Sequence, residues 1–192
     1  MYELTNKKMK ILTLIIILFV STACLTTRTV VGNQPKKSIE NLILNGSFTN
    51  EKKYWNPWQY ANKYSNLVKV VDYKGKSGNY KALRIENPYA KLIGLNQAVK
   101  LQENKIYKLS AAARSTVTNS SAIIFGGRVG IRLPHQKERS LIWMTEFNDW
   151  WKKGIVITNK FSGTAIVYID MGYGNVVSTG EFSDVRVEEI TN

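Results

Sequence analysis

Two arginines, and a tyrosine with an aspartate, occupy alternate positions in two segments patterned as strands: Arg128 and Arg132 in one, Tyr168 and Asp170 in the other. Successive side chains of a strand point to opposite faces. Arg128, Gly130 and Arg132 therefore share one face, and Val129, Ile131 and Leu133 share the other. Tyr168 and Asp170, with Thr164 and Ile166, likewise oppose Ala165, Val167, Ile169 and Met171. Each strand turns an apolar face to a core and keeps guanidinium, phenol and carboxylate on its other side. A polar sheet face dotted with aromatics is what holding a sugar requires. Bond cleavage asks for more. Glycoside hydrolysis needs two carboxylates at a defined separation, and Glu146 with Asp149 fits no catalytic motif. There is no nucleophile elbow, phosphate loop or metal-ligand cluster. The one histidine, His135, sits in a Pro-His-Gln turn and reads as a surface loop residue. We therefore expect no enzyme.

The elements that must position these residues are strands. Period-two alternation runs through 66–73, 80–86, 105–115, 122–133, 141–147, 155–158, 164–171 and 181–190, with Gly, Asn, Pro and Lys clusters between. Such regular breaks predict an all-β, two-sheet antiparallel β-sandwich. The three alanines of Leu109–Arg114 could pass as a helix, but the run is short and lies inside a strand pattern. Among the five tryptophans, Trp55 is expected to cap the core near Pro57. One of Trp150 and Trp151 should point inward, because strand neighbours face opposite ways. Trp143 is ambiguous, since both faces of its strand are apolar. Trp58 is left as the platform for a ligand ring.

Upstream, Lys7, Lys8 and Lys10 precede the apolar run 11–20 and the small residues Ser21-Thr22-Ala23. A cationic start, a short apolar stretch and small residues before a cut site form an export signal; the run is shorter than the roughly 20 residues of a spanning helix. The only cysteine, Cys24, follows immediately. Ser21-Thr22-Ala23-Cys24 resembles the lipobox of bacterial lipoproteins, with Ser21 where leucine is usual, and that resemblance implies lipidation of Cys24. Plain secretion after Ala23 is the alternative. The expected organisation is a signal peptide over 1–23, a lipidated cysteine and flexible tether over 24–38, and one domain over 39–192. The formal charge is +13, or +11 without residues 1–23. An exported chain has no nucleic acid to meet. Outside the cell that charge favours anionic partners such as acidic polysaccharide, teichoic acid or phospholipid headgroups, although solubility alone would also account for charge spread this evenly.

The segment 41–48, with Trp55 and Trp58 after it, resembles the opening of carbohydrate-binding modules of the superfamily containing families four, nine and twenty-two. Lys81-Ala82-Leu83-Arg84-Ile85 fits a second signature of that group. Asn96-Gln97-Ala98-Val99 leading into 105–111 resembles its central stretch, and Trp150-Trp151-Lys152-Lys153 with 182–187 its closing part. The resemblance implies a galactose-binding-like jelly roll and a stacking role for Trp58. It also implies hydrogen-bonding roles for Arg128, Tyr168 and Asp170; Arg132 joins them by parity. Arginines in place of the family's usual glutamines and asparagines suggest an anionic glycan, since a guanidinium pairs with carboxylates and sulfates in a fork. Relatives often carry a structural calcium, whose positions here would be Ser47, Thr49 and Asp184, with Asp184 the only carboxylate. The expected function is a membrane-anchored lipoprotein of the cell envelope that binds poly- or oligosaccharide. The alternative is an adhesive or structural envelope protein that uses the same fold to assemble with a protein partner.

Overall fold

The computed structural model of the chain describes residues 40–75, 78–115, 126–143 and 149–191. The signal segment, Cys24, the tether, Glu146 and the outer ends of the strands expected over 122–133 and 141–147 lie outside them. The described residues form ten strands and two short 3-10 turns. In chain order the strands are β1 (Asn56–Gln59), β2 (Val68–Gly75), β3 (Gly78–Asn87), β4 (Ile93–Leu101), β5 (Lys105–Ser115), β6 (Gly127–Arg132), β7 (Arg139–Trp143), β8 (Trp151–Asn159), β9 (Gly163–Met171) and β10 (Ser178–Glu189).

Two five-stranded sheets face each other. Sheet I has the order β1-β4-β9-β6-β7 and sheet II the order β2-β3-β10-β5-β8, and the pairings within both are antiparallel. The all-β sandwich read from alternation is the fold observed. Its core is built by the inward parity set of each strand: Leu83 and Ile85 of β3, Leu109 of β5, Val129 and Ile131 of β6, Val167 and Ile169 of β9, Phe182 and Val187 of β10 are all fully buried. Each side chain of this size contributes about 1.5–3 kcal/mol on leaving water. The alanines of β5 are strand residues; Ala111 and Ala113 point into the core and are fully buried there.

β1 and β4 were not among the strands expected from alternation. The inward set of β4 is Ile93, Leu95, Gln97, Val99 and Leu101, and the buried amide in its middle breaks the apolar period. Gln97 sits there to hold the segment that leads into β1. Its Oε1 accepts from Leu44 N at 2.8 Å, and its Nε2 donates to Leu44 O at 2.9 Å and Tyr54 O at 3.1 Å. Phe48 and Trp55, with ring centroids 5.6 Å apart, then pack into that end of the core, so Trp55 caps it as expected. Trp143 is the interior tryptophan: its ring is fully buried and its Nε1 donates to Trp151 O at 3.1 Å. Trp151 has inward parity, opposite Ala113, but begins an edge strand and is 46% exposed. Trp150 lies on the outer side, against Tyr73. Neither of the pair fills the core, because Trp143 already does.

Gly94 of β4 marks a close approach between strands. A Cβ there would fall 1.8 Å from Ile169 O and 2.8 Å from Asp170 Cα, both backbone atoms of β9. We expect Gly94→Ala to destabilise the domain by about 3 kcal/mol, at the upper end of overpacking costs. Urea unfolding measures it, and a midpoint equal to wild type would contradict this account of the β4–β9 contact.

Candidate functional site

Strand register, rather than sequence proximity, assembles the outer face of sheet I. One cross-strand row runs Trp58, Gly94, Asp170, Arg128 and Ile142, from β1 to β7. The neighbouring row runs Asn56, Asn96, Tyr168, Gly130 and Ser140. Two glycines make room. A Cβ on Gly130 would lie 2.1 Å from the Tyr168 hydroxyl, so only glycine lets that phenol lie across β6. Gly94, between Trp58 and Asp170, keeps that stretch of the face free of side chains. Asn96 fixes β1 by donating to Pro57 O at 2.9 Å and Asn56 O at 3.3 Å.

Asp170 is the centre of the cluster and has no exposed surface. Arg128 grips it as a fork, with Nε 3.0 Å from Oδ1 and Nη2 2.7 Å from Oδ2. The third nitrogen of Arg128 donates to Glu138 at 3.2 Å. Glu138 also accepts from Arg132 Nε at 2.8 Å and, in a short bond, from the Tyr168 hydroxyl. Burial pushes the Glu138 carboxyl up, but these hydrogen bonds and the two guanidinium charges outweigh it and hold the group below the usual carboxylate range. Burial and the bond to Glu138 push the Tyr168 phenol well up, so it remains a donor. For Arg128, burial pulls downward, but the hydrogen bond and charge of Asp170 overcome it. Two guanidiniums and two carboxylates therefore balance.

The rings lie over this network. Trp58 and Tyr168 are nearly parallel, 11° apart with centroids at 5.5 Å, within the range where ring pairs attract. The Arg132 guanidinium is 4.7 Å from the Trp58 centroid and 5.9 Å from that of Tyr168. The two distances place the cation over the Trp58 ring, with Tyr168 at the edge of its reach. Arg128 lies 4.7 Å from the Tyr168 ring and 4.9 Å from that of Tyr173. The Trp58 indole N–H is buried without an acceptor at hydrogen-bonding geometry among the described residues; burial pushes the Asp170 carboxyl up, opposed first by Arg128 and then by this nearby N–H.

All five residues expected on this face come together here, in two tiers. Trp58 is half-buried and the Arg132 side chain is 50% exposed; these two meet solvent. Arg128, Tyr168 and Asp170 are buried beneath them and satisfy one another. They position the upper tier and offer a ligand almost no surface. Glu138, which ties the tiers together, escaped sequence reading because it sits in the turn after β6; its one signal is a carboxylate six residues past Arg132 on a hairpin. His135 has its ring edge-on to Phe161, 5.8 Å away, outside this network.

Ser47, Thr49 and Asp184 also come together, around a separate cavity of about 320 Å3. Their donors do not suit calcium, which wants several oxygens including carboxylates. Asp184 accepts from Lys152 Nζ at 2.6 Å and from Arg186 Nε, one cation on each oxygen. Thr49 donates to the Asn45 amide oxygen at 3.4 Å. Protein cations stand where the metal's charge would be needed.

No family model and no curated protein matches this chain. Solved structures match its fold. A family 16 carbohydrate-binding module is 20% identical with a TM-score of 0.55, the match covering 77% of this chain and 99% of that one. A family 61 module in complex with β-1,4-galactotriose is 17% identical, TM-score 0.58, over 79% and 99%. The xylan-binding domain CBM22-1 of Paenibacillus barcinonensis Xyn10C is 11% identical, TM-score 0.53, over 80% and 97%. This chain has the jelly-roll fold that these carbohydrate-binding modules share, as the resemblance in its sequence implied.

The lowered Glu138 carboxyl has a consequence for pH. Its stabilising contribution is fully present above the unfolded glutamate value of about 4.3 and is lost as pH falls through the lower folded value. In unfolding curves measured from about pH 6 down to about pH 3, Glu138→Gln should show a shallower acid loss than wild type. An acid limb of unchanged slope would contradict the network described.

Proposed function

We propose that this protein is a non-catalytic, exported and membrane-anchored carbohydrate-binding protein that holds an oligosaccharide on the outer face of sheet I. The observation that carries the reading is the Trp58 ring, braced in parallel by Tyr168 and covered by Arg132, on a sheet face rather than in the core. A braced ring keeps its orientation when a pyranose stacks on it, so little ordering cost falls on binding. Arg132 donates to Glu138 through Nε alone, and its other two nitrogens meet no acceptor among the described residues. They are free to donate to hydroxyl or ring oxygens of a sugar. The likeness in fold to modules described with β-1,4-galactotriose and as xylan-binding supports the ligand class.

The balanced charges refine the expectation of an anionic glycan. Around Trp58, Arg128 is spent on Asp170 and Arg132 is shared with Glu138, so the charges of this cluster balance, which favours a neutral glycan there. The same pairing supports the absence of catalysis at this face, since each carboxylate is tied to a guanidinium and Asp170 reaches no solvent. Export and lipidation of Cys24 rest on the sequence of the first 24 residues. Acyl chains add about 0.8 kcal/mol of membrane affinity per buried methylene.

Two experiments test the proposal. In calorimetric titration of the full-length protein with xylohexaose and β-1,4-galactotriose, Trp58→Ala should remove at least half of the heat of binding while the protein still melts cooperatively. Unchanged heat would exclude the sheet I face. Cys24→Ser should move the protein from the membrane to the soluble fraction of cells; unaltered fractionation would exclude the anchor.

A further inference from the structure

The outer face of sheet II carries a second ring-and-arginine assembly, built from different residues. One cross-strand row reads Lys69, Arg84, Glu181 and Arg114, across β2, β3, β10 and β5. Glu181 is fully buried although its parity is outward. Arg84 covers one of its oxygens with Nε at 2.9 Å and Nη2 at 2.6 Å, and Arg114 covers the other with Nε at 2.6 Å. Beyond this row come the pairs Val71–Ala82 and Ser183–Ala112. Their small side chains leave space for Arg114 to reach across the sheet. Its guanidinium lies 5.3 Å from the Tyr73 ring and 5.0 Å from that of Trp150.

Three rings form a run there. Tyr80 and Tyr73 stack at 5.4 Å and 24°, and Tyr73 meets Trp150 at 4.9 Å and 38°. Tyr80, at the open end, is 41% exposed. The Trp150 indole N–H is buried with no acceptor among the described residues, as is that of Trp58 on the other sheet. At the opposite end of the charged row, Arg84 lines a cavity of about 400 Å3 together with Glu86, Asn87 and Thr179. Apolar rings thus share one sheet face with guanidinium, carboxylate and hydroxyl groups. A pyranose presents the matching chemistry, a C–H face for the rings and a rim of hydroxyls for the polar groups.

We propose that the Tyr80–Tyr73–Trp150 run, with Arg114 and Arg84, is a second oligosaccharide-binding platform on sheet II, so that one molecule holds two glycan chains on opposite faces. Its choice of ligand rests on the glycan-binding reading above; its location and residues do not. Packed sheets lie about 10 Å apart, so two chains bound outside them would be joined through a single domain. Anchored copies could then crosslink glycan as well as retain it.

Full-length wild type, Trp58→Ala, Tyr80→Ala, Trp150→Ala and the Trp58→Ala/Tyr80→Ala double variant would be titrated with xylohexaose and β-1,4-galactotriose, with thermal melts as a check on folding. Tyr80→Ala leaves every Arg114 contact in place and guards against a folding defect in Trp150→Ala. Wild type should bind two equivalents of at least one probe. Tyr80→Ala should weaken one of them about tenfold, and the double variant should weaken both. A single equivalent abolished by Trp58→Ala, Tyr80→Ala indistinguishable from wild type, or no binding of either probe would overturn the second platform. Should Trp58→Ala bind as wild type while Tyr80→Ala weakens binding, the sheet II platform stands and the sheet I reading falls.

Discussion

Asp170 sits where no water reaches it, on the side of a strand that faces away from the core. An unpaired carboxylate in that position would cost several kcal/mol in desolvation, a large share of the stability of a typical domain. The bidentate contact from Arg128 removes that problem and creates a constraint. Arg128 must lie flat along the sheet, which places its guanidinium beneath Tyr168 and leaves its remaining nitrogen aimed at Glu138. Glu138 then holds Tyr168 and Arg132, and these two hold Trp58. The orientation of the half-buried Trp58 ring is set by a charge pair in the tier beneath it.

The outer face of sheet II repeats the device with other parts. A buried carboxylate, Glu181, again clamps arginines, and one of these again lies against aromatic rings. In both places an acid with no exposed surface fixes a cation, and the cation braces aromatic groups nearer solvent. Buried ion pairs are poor sources of net stability, and cation–ring contacts are modest, about 0.5–2 kcal/mol each. What they supply is rigidity of side chains that would otherwise wander over a flat sheet. Binding surfaces of preformed geometry lose less entropy when a ligand arrives.

Much of this was legible before the coordinates. Parity alone separated Val129, Ile131, Val167 and Ile169 from Arg128, Arg132, Tyr168 and Asp170, because apolar alternation in a sandwich has one physical cause, a single shared core. The placing of Trp55 in the core also held. Depth on the outer face was not legible. Whether Arg128 meets a ligand or an aspartate depends on β6 lying beside β9 in one register, and those residues are 42 apart in sequence. Glu138 reads as turn, and Gln97 as a break in a strand, until the partner each serves is in place. Asp184 stands where the resemblance put a calcium position; its ion-pair partners, a lysine from β8 and an arginine two residues along β10, could not be read from the sequence.

The most direct measurement is a titration of 15N-labelled protein with xylohexaose and β-1,4-galactotriose, following the tryptophan indole N–H signals. The Trp58 signal should move progressively with sugar, while that of Trp143, buried in the core and bonded to Trp151, stays in place. A Trp58 resonance unmoved at saturating concentrations of both sugars would contradict the claim that this face binds glycan.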